Sequence, residues 1–262
     1  MAHIEQNAPG SFTWIELASP DQNASKQFYQ PLFGWDVAEF PMGPAGYYAI
    51  FRLDGRDTGG CYGMNAQMKE EGVPPHWMIY MAVTSADESA AKAATAGGKV
   101  VVAPFDVFDF GRMAVIQDPT GAMFSLWQEK QNKGIGIAGV PGTLCWADLS
   151  TPDPETAAAF YRTLFGWEVK LAEHDTSGYL HIKNGEQMIG GIPPAAHRNP
   201  NAPPHWMLYF LVESCDAASA KAKDLGAKLY MDPMTMEGVG RMAVVADPQG
   251  AVFALFQPMR RG

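Results

Sequence analysis

Two acid–imidazole sets recur in this chain at matched places. Glu16 and His76 reappear as Asp148 and His205, 132 and 129 residues further on. A carboxylate that holds an imidazole in one tautomer makes a general base, so each set is a candidate for moving a proton. Two other readings stand beside this one. The pair can be a hydrogen-bonded polar contact that only fixes strand register, or two ligands of a nonstandard metal site completed by water.

The surroundings repeat as well. Gly10 to Leu17 with Phe28-Tyr29 and Phe33-Gly34-Trp35 returns as Gly142 to Leu149 with Phe160-Tyr161 and Phe165-Gly166-Trp167. Pro74-Pro75-His76-Trp77-Met78 returns as Pro203-Pro204-His205-Trp206-Met207. Gly111-Arg112-Met113-Ala114-Val115 with Asp118-Pro119 returns as Gly240-Arg241-Met242-Ala243-Val244 with Asp247-Pro248. A period this long exceeds that of solenoid repeats, so each copy is domain-sized. The expected division is residues 1–130, a Gly-rich polar linker over 131–141, and residues 142–262.

Composition excludes several classes. A formal net charge of −9 with no Lys/Arg cluster argues against a nucleic-acid partner. No apolar run is long enough to span a bilayer, so no membrane partner is expected. Residues 1–7 lack a basic region followed by an apolar one, and Cys61, Cys145 and Cys215 show no metal-type spacing. Free thiols in a cytoplasmic protein are the expectation.

Within the first copy, apolar alternation predicts a strand over 12–18 and helical spacing of Ala24, Phe28 and Leu32 predicts a helix ending at Gly34. Strands follow near 35–41, 46–53 and 57–63, with Asp54-Gly55 as a hairpin turn. A second unit has a strand from His76, an Ala-rich helix over 86–96, and strands near 99–107, 111–117 and 122–128. The chain is therefore α+β, with four βαβββ units.

Four such units, the Phe-Tyr-x-x-Leu-Phe-Gly-Trp signature and the closing Gly-Arg-x-Ala-x-x-x-Asp-Pro-x-Gly resemble the vicinal oxygen chelate superfamily. That superfamily includes glyoxalase I, extradiol dioxygenases and bleomycin-resistance proteins. The tandem form resembles actinobacterial glyoxalase-like proteins often labelled hydroxylases, and the mycobacterial culture-filtrate antigen of that type. The resemblance implies two glyoxalase-like open-barrel domains, each with a cleft. In metal-dependent members, one ligand sits on the first and one on the last strand of each unit. Those positions fall here at Trp14, Gly60, Met78 and Ser125, then Trp146, Gly191, Met207 and Ala254. None suits a hard or borderline divalent ion, so no metal cofactor is expected.

Strand parity suggests what lines the clefts instead. Phe12, Trp14 and Glu16 share one face of the first strand, while His76, Met78 and Tyr80 share one face of the fifth. Ser125 and Trp127 complete the lining; Trp146, Asp148, Met207, Tyr209 and Phe256 are their second-copy counterparts. If Trp14 faces Met78 across antiparallel strands, Glu16 falls opposite His76, and Asp148 opposite His205. The leading expectation is a small hydrophobic or aromatic ligand held by shape and stacking. The alternative is a lyase, isomerase or hydroxylase-like enzyme acting on a small carbonyl or phenolic metabolite. A collapsed, purely structural cleft is the third reading. The duplication supplies what a homodimer would, so a monomer or a homodimer is compatible with it. Arg112 and Arg241 are expected to anchor hairpins, and His174 and His181, absent from the first copy, to lie at the surface.

Overall fold

The computed structural model describes residues 3–43, 46–172 and 176–259. The first copy runs β1 (Phe12–Ser19), α1 (Gln22–Phe33), β2 (Asp36–Pro41), β3 (Tyr47–Leu53), β4 (Arg56–Gly63) and α2 (Ala66–Glu70). It continues with β5 (His76–Ala82), α3 (Ala86–Thr95), β6 (Lys99–Val107), β7 (Gly111–Gln117) and β8 (Met123–Glu129). The second copy runs β9 (Leu144–Ser150), α4 (Pro154–Phe165), β10 (Glu168–Leu171), β11 (Leu180–Asn184) and β12 (Gln187–Ile192). It ends with β13 (His205–Leu211), α5 (Cys215–Asp224), β14 (Lys228–Met236), β15 (Gly240–Ala246) and β16 (Val252–Pro258). The short helix α2 has no counterpart in the expected order.

Each copy forms one eight-stranded mixed sheet, in the orders β2-β3-β4-β1-β5-β8-β7-β6 and β10-β11-β12-β9-β13-β16-β15-β14. The βαβββ units thus pair in chain order, giving two glyoxalase-like domains. At each centre the two first strands run antiparallel, flanked by parallel partners. Helix α1 starts where the Asp21 side chain accepts the Asn23 and Ala24 N–H groups and stops at Gly34, whose φ of 74° suits glycine. It buries Phe28, Tyr29, Leu32 and Phe33.

Those rings reach beyond their own sheet. Phe33 stacks on Phe210 with centroids 4.9 Å apart, and Phe28 meets Phe253 edge-on. The Tyr29 hydroxyl donates to Asp247 at 2.9 Å and accepts from Trp77 Nε1 at 3.0 Å. Reciprocally, Tyr161 donates to Asp118 at 3.0 Å and accepts from Trp206 Nε1. Trp35 Nε1 bonds the Gly142 carbonyl and Trp167 Nε1 that of Gly10. The repeated aromatic signature is therefore the interface between the copies, and one hydrophobic core spans both. The segment 131–141 is docked: Ile135 and Ile137 are buried, and Ile135 N–H bonds the Thr13 carbonyl. Two buried isoleucines outweigh the flexibility its glycines would otherwise give. Among the described residues, no helix is long and apolar enough to cross a membrane.

Candidate functional site

On the first sheet, Trp14 lies opposite Tyr80, Glu16 opposite Met78 and Ala18 opposite His76. On the second, Trp146 lies opposite Tyr209, Asp148 opposite Met207 and Ser150 opposite His205. The expected pairing is displaced by two residues. An even displacement keeps every side chain on its face, so Trp14, Glu16, Met78 and Tyr80 still share the cleft side. It also separates the acids from the histidines, and neither Glu16–His76 nor Asp148–His205 forms a hydrogen bond. The Nδ1 atoms of His76 and His205 instead lie 2.8 Å from the carbonyls of Pro74 and Pro203, two residues back.

Phe12 also departs from its expected place. A register shift between Phe12 and Trp14 turns its ring to the interdomain side. There it packs edge-on against Trp167 and Trp206, at 5.9 and 5.6 Å.

Tyrosines have taken the histidines' place. Tyr48 from β3 and Tyr80 from β5 each donate to one Glu16 carboxylate oxygen at 2.6 Å. Trp14 Nε1 donates to the Tyr48 hydroxyl at 2.9 Å. The second cleft repeats the arrangement. Tyr179 and Tyr209 donate to Asp148, and Trp146 Nε1 donates to both Tyr179 and Asp148. The missing side chain at Gly60 makes the room: a Cβ there would stand 2.1 Å from the Tyr48 hydroxyl. At Gly191 a Cβ would stand 2.0 Å from that of Tyr179.

Around the acid, Trp14, Tyr80, Ser125 and Trp127 are almost fully buried, while Glu16, Tyr48 and Met78 keep part of their surface open. Trp127 meets Tyr80 edge-on, as Phe256 meets Tyr209. Ser125 pairs with Tyr80 across parallel strands, the place Ala254 takes beside Tyr209. The face continues over Met113 and Phe105 in the first domain and over Met242 and Met234 in the second. The floor is packed, so a ligand would lie on it rather than sink into it. A hollow of about 170 Å³ on the second domain's wall is lined by Glu168, Lys170, His181 and Lys183. His181 is half-buried on the cleft face opposite Gly191, not at the surface, and occupies the place of Ile50 in the first domain. His174 lies outside the described residues. Arg112 and Arg241 form bidentate pairs with Asp87 and Asp216 at the starts of α3 and α5, which ties each hairpin to its helix.

Burial raises the Glu16 carboxyl above its ordinary range, against the two phenol hydrogen bonds. Asp148 is raised the same way, with Tyr179, Tyr209, Trp146 and the nearby His181 opposing. Tyr48 and Tyr80 are held well above the usual phenol value by burial and by Glu16, so they stay protonated as donors. A raised acid binds more protons folded than unfolded. Its effect on stability is therefore most favourable below the ordinary carboxyl pKa and declines as pH rises through the raised value. Glu16, Asp148 and Asp247 all act in this sense. The urea midpoint should fall between pH 4 and pH 8, and less steeply in Glu16→Gln/Asp148→Asn. A midpoint that climbs over this range with the same slope in both proteins would refute the assignment.

The residues do not fit the divalent ion that the family's metal-dependent members use. The carboxylate on each cleft floor already accepts two phenol hydrogen bonds, and the other expected positions carry Trp, Gly, Met, Ser or Ala. Among the described residues, no three His, Cys, Asp or Glu side chains gather as a metal site. Strand parity places Tyr80 and Tyr209 on the cleft side, but Tyr48 and Tyr179 were missed from sequence. Their signal was a tyrosine twelve residues before each cleft glycine, Tyr48 to Gly60 and Tyr179 to Gly191.

Comparison with known proteins agrees with this architecture. Residues 11–126 match the glyoxalase/bleomycin resistance protein/dioxygenase superfamily and residues 146–256 match a glyoxalase-like domain. CFP32 of Mycobacterium tuberculosis is 38% identical over 253 residues, covering 95% of each chain. DnrV of Streptomyces peucetius, an anthracycline biosynthesis protein, is 35% identical over 269 residues, covering 97% of this chain and 95% of that one. The Mn(II)-bound glyoxalase of Novosphingobium aromaticivorans superposes with a TM-score of 0.66 at 16% identity, covering 99% of this chain and 84% of that one. With two matched domains and full-length relatives at this identity, the chain belongs to the glyoxalase/bleomycin resistance/dioxygenase superfamily, in its tandem-domain form.

Proposed function

We propose that the chain binds a small, largely hydrophobic or aromatic molecule on one or both aromatic cleft faces, without the metal chemistry of its metal-dependent relatives. The observation that carries this is the filling of each expected ion position by a Trp–Tyr–carboxylate–Tyr cluster seated over glycine. Stacking on flat rings suits a planar ligand, and two relatives, DnrV and DauV, are named as anthracycline biosynthesis proteins. The unpaired cysteines fit a reducing cytoplasm.

A second reading is an enzyme acting on a small carbonyl or phenolic metabolite. The raised carboxyls of Glu16 and Asp148, positioned by tyrosines, favour it. In either reading His76 and His205 lie outside the working cluster.

Calorimetric titration with a hydroxyanthraquinone tests the proposal. Heat of binding should saturate at one or two ligands per chain. His76→Gln/His205→Gln should change the affinity by less than about twofold, since neither imidazole bonds the cluster. Absence of binding across a panel of planar aromatics would refute the proposal, as would a stoichiometric, tightly held divalent cation in the purified protein. Turnover of an identified substrate that is lost in Glu16→Gln would favour the enzyme.

A further inference from the structure

We infer that the first cleft is built for an aromatic or arylalkyl molecule carrying a protonated amine. This rests on the binding function proposed above and specifies its ligand. The inference comes from counting donors and acceptors. The cluster's donors are spent internally: Trp14 Nε1 on Tyr48, and the Tyr48 and Tyr80 hydroxyls on Glu16. The Ser125 hydroxyl, beside Tyr80, makes no hydrogen bond among the described residues, but its oxygen is sealed beneath the floor and offers no donor to the cleft. What faces the cleft is therefore oxygen lone pairs: those left on the carboxylate and on the phenol oxygens. A ligand satisfies such a surface by bringing N–H or O–H groups.

Charge narrows the class further. Among the described residues no Lys, Arg or His pairs with Glu16, and its perturbation comes only from burial and the two phenols. An enclosed carboxylate without a counter-ion is costly, and a cation arriving with the ligand would offset that cost. The rings of Trp14, Tyr48 and Tyr80 stand around the acid. Tyr62, on the same face as Tyr48, is close enough for Glu16 to raise its phenol. Tyr48 and Tyr80 meet Glu16 through their hydroxyls, so it is the acid itself that sets the ligand charge the enclosure favours. The second cleft has the same cluster, but His181 acts on Asp148 where the first domain has Ile50. Its demand for an incoming cation is smaller.

Three probes of similar size separate the possibilities on the full chain: 2-phenylethylammonium, 2-phenylethanol and 3-phenylpropanoate, each titrated calorimetrically. The ammonium should bind more tightly than the alcohol by about tenfold or more, the worth of one hydrogen bond to a charged group. The propanoate should bind weakest. Glu16→Gln, nearly isosteric, should abolish most of the ammonium's advantage, while Asp148→Asn should remove a smaller share. Equal binding of ammonium and alcohol by the parent protein overturns the inference and leaves aromatic binding standing. An advantage that survives in Glu16→Gln also overturns it. Should that variant not fold, the parent's ranking of the three probes decides. If none of the three binds while a hydroxyanthraquinone does, the inference falls and the binding function stands; if the hydroxyanthraquinone and the wider panel of planar aromatics also fail, both fall.

Discussion

Asp247→Ala should destabilise the whole chain by about 3 kcal/mol, and Asp118→Ala by a similar amount, because several hydrogen bonds and two buried partners are lost together. Asp247 Oδ1 accepts the backbone N–H groups of Gln249, Gly250 and Ala251, which builds the β15–β16 turn. Its Oδ2 accepts the Tyr29 hydroxyl from the other domain. Removing the carboxylate opens the turn and leaves a buried phenol, itself holding Trp77, without an acceptor. Tyr29→Phe isolates the cross-domain share. It leaves the turn intact and strands Asp247 Oδ2 and Trp77 Nε1, at a cost of about 1–3 kcal/mol. Equilibrium urea unfolding followed by Trp fluorescence and by far-UV circular dichroism measures both. Losses below about 0.5 kcal/mol for all three variants, the range of ordinary surface changes, would show that these contacts hold nothing.

Gly60→Ala should disrupt the first cleft. The new methyl would stand 2.1 Å from the Tyr48 hydroxyl and 2.6 Å from its Cζ, so the ring must swing away. The bonds from Trp14 to Tyr48 and from Tyr48 to Glu16 would break together. Forced repacking of this kind costs about 1–3 kcal/mol, and affinity for an aromatic ligand should drop about tenfold as the floor loses its shape. Gly191→Ala should do the same to the second cleft, where the approach to Tyr179 is as close. Gly136→Ala serves as the control, its Cβ meeting nothing nearer than 3.6 Å. If Gly60→Ala and Gly191→Ala both bind and unfold like the control, the tyrosines do not occupy the places assigned to them.

Much of the fold was legible in the residues. Local signals suffice for an element such as α1, whose apolar spacing ends at a glycine. They also suffice for β1, whose alternation puts Ile15 and Leu17 in the core and Glu16 in the cleft. The register between β1 and β5 was not legible, because it is set by the packing of two distant segments. A slip of two residues leaves the same faces apolar and moves only the polar partners. Parity also fails at an irregularity, which is why Phe12 appears in the core between domains. Tyr48 escaped notice because β3 carries no chemistry in the pattern the superfamily suggests. Only the bare glycine at position 60 betrays that a neighbour needs the space.

The crossed contacts of Tyr29 with Asp247 and of Tyr161 with Asp118 bear on ancestry. A polypeptide of half this length could satisfy both bonds only by meeting its own twin. In one chain that meeting is permanent, and each half is free to vary alone. Isoleucine at position 50 against histidine at 181 marks the difference: one scaffold now carries two unlike cleft faces, which paired identical subunits could never do.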